Sequence, residues 1–217
     1  AGIEDLLWSL TSLGGQSLVG DDPLTLDLTK GTASGFAGCN TYNGPYERSG
    51  TSIQIGPLAS TRRICPEPPG LMDQEIQFLA ELQNAEGLAI DRNGLQLFGS
   101  KSPVTLSFHS VVLGTVGFLQ SIEPAPGWAL TVQLQDVSKA DVAAVVIGET
   151  VTTDFSSLPV PYTIAFDPTK IDTRFNYAVS ARITDSTGTL LFVNTQAYRV
   201  ITAGNPSIVE VIVEPAN

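Results

Sequence analysis

The sequence predicts a mainly β protein of two domains, and three observations carry that reading. With 42% hydrophobic and 15% charged side chains, and 20 Gly and 14 Pro among 217 residues, the composition is that of strands joined by tight turns. Short apolar runs alternate with polar positions at a period of two along most of the chain. Helical periodicity appears once, in the first half, and is gone after about residue 110. The length accommodates one large domain or two of about 100 residues each, either able to bury its own core.

In the first half, LTLDL, TSIQI, GLAI, LQLF and VTLSF read as strands, and DRNG at 91–94 as a hairpin turn, because Asn-Gly tolerates positive φ. Between TSIQI and GLAI, PGLMDQEIQFLAELQNAEG predicts the helix. Met72, Ile76 and Leu79 fall at i, i+4 and i+7, and Phe78 and Leu82 widen the apolar stripe. Pro66, Pro68 and Pro69 precede it, Asp73 and Glu75 suit the positive end of its dipole, and Gly87 can end it.

In the second half one buried face per strand is expected from four sets of alternating residues. They are Trp128, Leu130, Val132 and Leu134; Tyr162, Ile164 and Phe166; Tyr177, Val179, Ala181 and Ile183; and Val209, Val211 and Val213. DSTG at 185–188 joins two of these strands, and turn signals roughly ten residues apart predict a β-sandwich of two sheets. The boundary is expected near residues 110–113, giving domains over 1–110 and 111–217, with no Pro/Gly/Ser linker between them.

Eleven basic against 22 acidic side chains give a net charge of -11, so a polyanion is repelled and nucleic acid is not an expected partner. No apolar run approaches the roughly 20 residues needed to cross a bilayer, and AGIEDLLWSL lacks the basic start of a signal peptide. A soluble chain is expected, with any cleaved leader lying upstream of Ala1.

The two cysteines, Cys39 and Cys65, leave three roles open: a disulfide, inert buried thiols, or catalysis. Closing that loop would remove about 3.5 kcal/mol of unfolded-chain entropy. A catalytic thiol wants a histidine, and the chain has only His109; a structural zinc wants four ligands, and no CxxC is present.

The order of short motifs around these cysteines is informative. Trp8-Ser9-Leu10, Gly35-x-x-Gly38-Cys39-Asn40, Asn43-Gly44-x-Tyr46 and Leu58-Ala59-Ser60-Thr61-Arg62-x-x-Cys65 come in turn, followed by Glu75-x-x-Phe78-Leu79-x-x-Leu82 and Leu95-x-Leu97. Together they resemble the META domain, also called HslJ-like, over about residues 3–109. Arg63 departs from it, since the family usually has an apolar residue there. The resemblance implies an antiparallel β domain with one packed α-helix, an envelope setting, and pairing of Cys39 with Cys65.

The second half resembles another family. Val112-x-Gly114-x-Val116, the run from Pro126 through Trp128 and Asp136-Val137-Ser138-x-Ala140-Asp141, Pro161-Tyr162-x-Ile164-x-Phe166-Asp167 and Tyr177-x-Val179-x-Ala181-Arg182-Ile183 are similar to YbaY/YscW-like lipoprotein domains. The likeness covers about residues 111–214. It implies a β-sandwich in the bacterial envelope, commonly lipid-anchored, with one branch of pilotins that escort secretion components. Neither Cys39 nor Cys65 can be a lipobox cysteine, so membrane attachment would need an N-terminal anchor upstream of Ala1.

No catalytic residues, metal ligands or cofactors are predicted. A Ser-His-Asp triad needs a base, and His109 sits at a strand end as a structural or surface residue. G-x-S-x-G, P-loop and dinucleotide fingerprints are absent. Asp21-Asp22 and Asp136 with Asp141 are paired acids, yet acids in turns usually stay solvated or bond backbone amides, and no EF-type spacing is present. Asp136 with Ser138 suits a strand end. Arg62 after Thr61 is expected in a buried ion pair that holds the loop, or as a spot for an anionic group. Asn40 and Asn43 read as turn formers, and Tyr42 and Tyr46 as sheet packing or, on a surface, as partner anchors.

The function expected is non-enzymatic: binding or chaperoning other envelope proteins, a secretion-system component among them, in the periplasm or at the outer membrane. Strand-edge or groove recognition is the expected mechanism. The alternative is a stress-response or hydrolase-inhibitor module acting through a rigid disulfide-supported loop, with NTYNGPYERSG as that loop. An uncharacterised hydrolase is disfavoured by the missing histidine constellation.

Overall fold

Alternation of buried and exposed residues runs through nearly every strand of the computed structural model, which describes residues 2–100, 105–119, 122–139, 142–153 and 155–216. The chain divides into two compact units, residues 1–110 and 111–217. The first holds β1 (Leu7–Leu13), β2 (Thr25–Thr29), β3 (Thr32–Phe36), β4 (Thr41–Ser49), β5 (Ser52–Ile55), β6 (Ala59–Ser60), α1 (Leu71–Asn84), β7 (Gly87–Asp91), β8 (Gly94–Phe98) and the start of β9 (Thr105–Phe118). The order β1-β2-β3-β4-β5-β7-β8-β9 closes when β9 pairs with β1, so the antiparallel strands form an eight-stranded barrel. Closure was not expected from sequence, and it leaves these eight strands without an open edge.

Trp8, Leu26, Leu28, Ala33, Ile53, Leu95, Leu97 and Phe108 are fully buried in this unit. Trp8 Nε1 donates to the Ile3 carbonyl at 2.9 Å, which satisfies its one polar atom. Tyr42 and Tyr46 are buried as well, so neither is the surface anchor that was one of their two expected roles. Both belong to β4, where alternation turns them inward. NTYNGPYERSG is likewise a correction: most of it is β4, paired with β3, β5 and β6, and not a projecting loop.

The helix forms where expected and buries Phe78 and Leu82 as expected, but the centre of its buried stripe is shifted. Ile76 is 65% exposed, whereas Leu71, Glu75, Phe78 and Leu82 are buried, a stripe at i, i+4, i+7 and i+11. Phe78 is the anchor: its ring stands edge-to-face to Tyr42 at 5.9 Å and lies 6.4 Å from Phe108. The stripe is shifted away from Ile76 because Gln74 and Glu75, polar residues, occupy buried positions for hydrogen bonding. Gln74 uses its amide on the Val19 backbone, accepting at 2.6 Å and donating at 3.0 Å.

The second unit contains the rest of β9, then β10 (Ala129–Asp136), β11 (Val145–Thr153), β12 (Val160–Phe166), β13 (Tyr177–Thr184), β14 (Leu190–Val193), β15 (Tyr198–Val200) and β16 (Ile208–Pro215). β10 lies between β11 and β13, and β13 pairs onward with β14 and β15. β12 pairs with β9, β16 runs parallel to β9, and β16 also pairs with β14, so these strands continue the path of β14, β13, β10 and β11. Leu130, Val132 and Leu134 of β10, Tyr162 and Ile164 of β12, Tyr177, Val179, Ala181 and Ile183 of β13, and Val211 and Val213 of β16 are buried. These one-sided strands give the mainly β second unit the sequence predicts, with the β14–β16 pairing joining strands that a sandwich of two sheets would keep apart.

Candidate functional site

In the first unit, the turn between β3 and β4 is organised by Asn40, which is only 2% exposed. Its Oδ1 accepts from Thr61 Oγ1 and from the Arg63 N–H, both at 2.7 Å. Its Nδ2 donates to the Arg63 carbonyl at 3.1 Å and to Glu75 Oε1 at 2.8 Å. Glu75, 4% exposed, also accepts from the Asn40 N–H at 2.8 Å and the Cys39 N–H at 3.2 Å. A buried carboxylate with three N–H donors is well satisfied, and it ties α1 to the turn.

Cys39 and Cys65 are disulfide-bonded, fastening the same turn to the segment before α1. Asn40, Thr61, Cys39 and Cys65 are thus brought together. Glu75 joins them, whereas the sequence reading gave it a place in the META motifs and a dipole role but no partner in the turn. The signal was its place in a stripe otherwise made of apolar residues. Gly35 belongs to this corner too, because a Cβ there would collide with the Thr25 carbonyl that accepts the Tyr42 hydroxyl at 2.7 Å.

Arg62 is not in the buried ion pair that was one of its two expected roles: it is exposed and makes no ion pair among the described residues. The segment runs at the surface, so its guanidinium has no interior to enter. Arg63 lines a cleft of about 480 Å³ beside the disulfide, with Asp21, Asp22, Glu67, Phe36 and Leu71. Among the described residues no group of three or more His, Cys, Asp or Glu is placed to hold a metal ion. His109 is exposed on β9. Asp136 Oδ1 accepts from Ser138 N at 2.9 Å and Ser138 Oγ at 2.6 Å at the end of β10, and Ser138 Oγ accepts from Asn176 N at 2.8 Å. Asp141 lies outside the described residues.

The second unit offers a different surface. Phe118 and Phe192 meet edge-to-face at 4.9 Å, Trp128 lies 5.4 Å from Phe192, and Phe155 lies 6.5 Å from Trp128. All four rings are half-buried. Phe118 also lines a mostly apolar cleft of about 440 Å³ with Leu119, Ile122, Pro124, Leu158 and Pro159, to which Glu123 and Ser156 add polar groups, and Leu119 is 73% exposed. Half-buried aromatic rings beside an apolar cleft can take up an apolar side chain and lose little rotamer freedom in doing so. No described helix is long and apolar enough to cross a membrane.

Residues 2–111 match the family model of the META domain, and residues 107–213 match that of the type III secretion system lipoprotein chaperone, YscW. Among solved structures, an alternative pilotin from the type II secretion system of Vibrio cholerae is 31% identical, covering 49% of this chain and 96% of its own, with a TM-score of 0.46. A protein from Burkholderia xenovorans solved by NMR is 27% identical, covering 50% of this chain and 83% of its own, with a TM-score of 0.42. A comparison with curated proteins found no match. The chain belongs to the META-domain family, its META domain being followed by a domain of the YscW lipoprotein chaperones.

Proposed function

We propose that this is an exported, non-enzymatic protein of the bacterial envelope, whose second unit receives an apolar anchor segment of a secretion-system protein. The observation that carries the reading is the aromatic cluster of Phe118, Trp128, Phe155 and Phe192 beside the apolar cleft. A few anchor residues, tryptophan prominent among them, supply most of the energy of protein recognition once desolvated, and the surrounding contacts serve to exclude water. The match of residues 107–213 to lipoprotein chaperones of secretion systems supports a partner of that kind. The disulfide supports an oxidising compartment such as the periplasm.

Groove recognition has this cleft as its place. Edge recognition has β11, which pairs with β10 and exposes Val145, Val146 and Val151. Photo-crosslinking in envelope preparations tests the groove. A crosslinking side chain at position 119 is expected to trap a secretion-system component, and one at position 199, on β15, is not. Equal recovery from both positions, or no such component from position 119, would reject the reading.

A further inference from the structure

Residues 59–65, part of the stretch that resembles the META domain, are held at both ends and open between them. Upstream, β6 is paired with β4 through Ser60 opposite Tyr42 and Ala59 opposite Asn43. Downstream, Cys65 is bonded to Cys39. Between these two anchors no helix, strand or turn is assigned, and Thr61, Arg62, Arg63 and Ile64 are all exposed, Ile64 to 85%. The buried Asn40 side chain reaches this exposed segment on either side of Arg62, binding Thr61 Oγ1 on one flank and both the N–H and carbonyl of Arg63 on the other. Among the described residues, no hydrogen bond engages the N–H or carbonyl of Arg62 itself.

A serine protease binds the residue before the scissile bond by its side chain, in the S1 pocket, and by its main-chain groups. A protein loop meets that demand when the side chain and peptide groups of one residue are open while its neighbours are already immobilised, so that little ordering entropy is lost on binding. Arg62 meets it and Arg63 does not, because Asn40 occupies both peptide groups of Arg63. We propose that residues 59–65 are a substrate-like inhibitory loop for a trypsin-like serine protease, with Arg62 in the S1 pocket. An S1 pocket with aspartate at its base is the chemical complement of a guanidinium. No bond is broken in the complex; the Arg62–Arg63 peptide is held in place by Asn40 and the disulfide. This relocates the inhibitor alternative from NTYNGPYERSG, which is mostly strand, and it does not rest on the cleft of the second unit.

The test uses the intact, oxidised chain and trypsin, reading residual hydrolysis of a small arginine substrate. Inhibition is expected with a constant below about 1 µM, a value that protease–inhibitor contacts of ordinary size readily reach. Arg62→Ala is expected to weaken it at least about 100-fold and Arg63→Ala less than about 10-fold, because one buried anchor dominates such interfaces. Arg62→Phe is expected to transfer inhibition to chymotrypsin, whose S1 pocket is a hydrophobic slot. Position 62 is exposed, so circular dichroism of both Arg62 variants should match the parent. Absence of inhibition, rapid cleavage after Arg62, or unchanged potency in Arg62→Ala would overturn the proposal.

Discussion

Tyr42 sits where a phenolate has no means of being solvated. Its ring is buried, its hydroxyl donates to the Thr25 carbonyl at 2.7 Å, and burial, with the Asp27 charge, pushes its pKa far above the usual tyrosine range. Tyr162, bonded to the Val209 carbonyl at 2.9 Å, is pushed up by burial as well. In the unfolded chain both ionise at about pH 10. Because the folded values are higher, the folded state holds its protons more tightly, and stability falls as pH rises above the unfolded value. Urea unfolding is therefore expected to show a plateau below about pH 9.5 and a decline above pH 10. Tyr42→Phe should lessen that decline and cost about 1 kcal/mol at neutral pH for the lost hydrogen bond. An unchanged alkaline decline in the variant would show that Tyr42 is not a source of it.

At the scale of elements, the join between the β3–β4 turn and α1 is doubly secured, by Glu75 and by the disulfide. Cys65→Ser is expected to lower unfolding free energy by about 3.5 kcal/mol, measured in urea, if unfolded-chain entropy dominates. A loss below about 1 kcal/mol would mean that Asn40 and Glu75 hold the segment unaided. The helix was legible in the sequence as an element, but its orientation was not. Periodicity weighs apolar residues, and a carboxylate that serves backbone amides interrupts the very stripe it belongs to. Similarly, the strands of Leu130, Tyr162 and Tyr177 were legible because each buries one face. β11 was missed because Val145, Val146 and Val151 point outward, which erases the alternation. A buried ion pair was one of two roles expected of Arg62 because an arginine in an acidic protein invites one, and nothing local in the sequence marks that its segment stays at the surface.

Over the whole molecule, the mainly β class followed from composition and period, whereas closure of the barrel did not. Closure depends on β1 meeting β9, and the Thr11 hydroxyl bond to the Ser107 carbonyl already spans 96 positions. A pairing that distant leaves no local mark. We propose that the two units are separate folding domains. A fragment of residues 1–111, which retains the disulfide pair and the barrel-closing start of β9, is expected to unfold cooperatively and give dispersed amide resonances; a collapsed spectrum would refute autonomy.

The join between β5 and β7 is short. β5 and β7 share a single register pair, Ser52 with Gly87, supported by Ile53 N to Glu86 O at 3.1 Å and Leu88 N to Thr51 O at 2.8 Å, because the excursion through β6 and α1 separates them. Local breathing begins where the fewest bonds must break. The barrel thus has a line that opens before the β2–β3 join does: amide protons of β5 and β7 would be surrendered to deuterated solvent ahead of those in β2 and β3, while the sulfur bridge keeps the neighbouring corner closed.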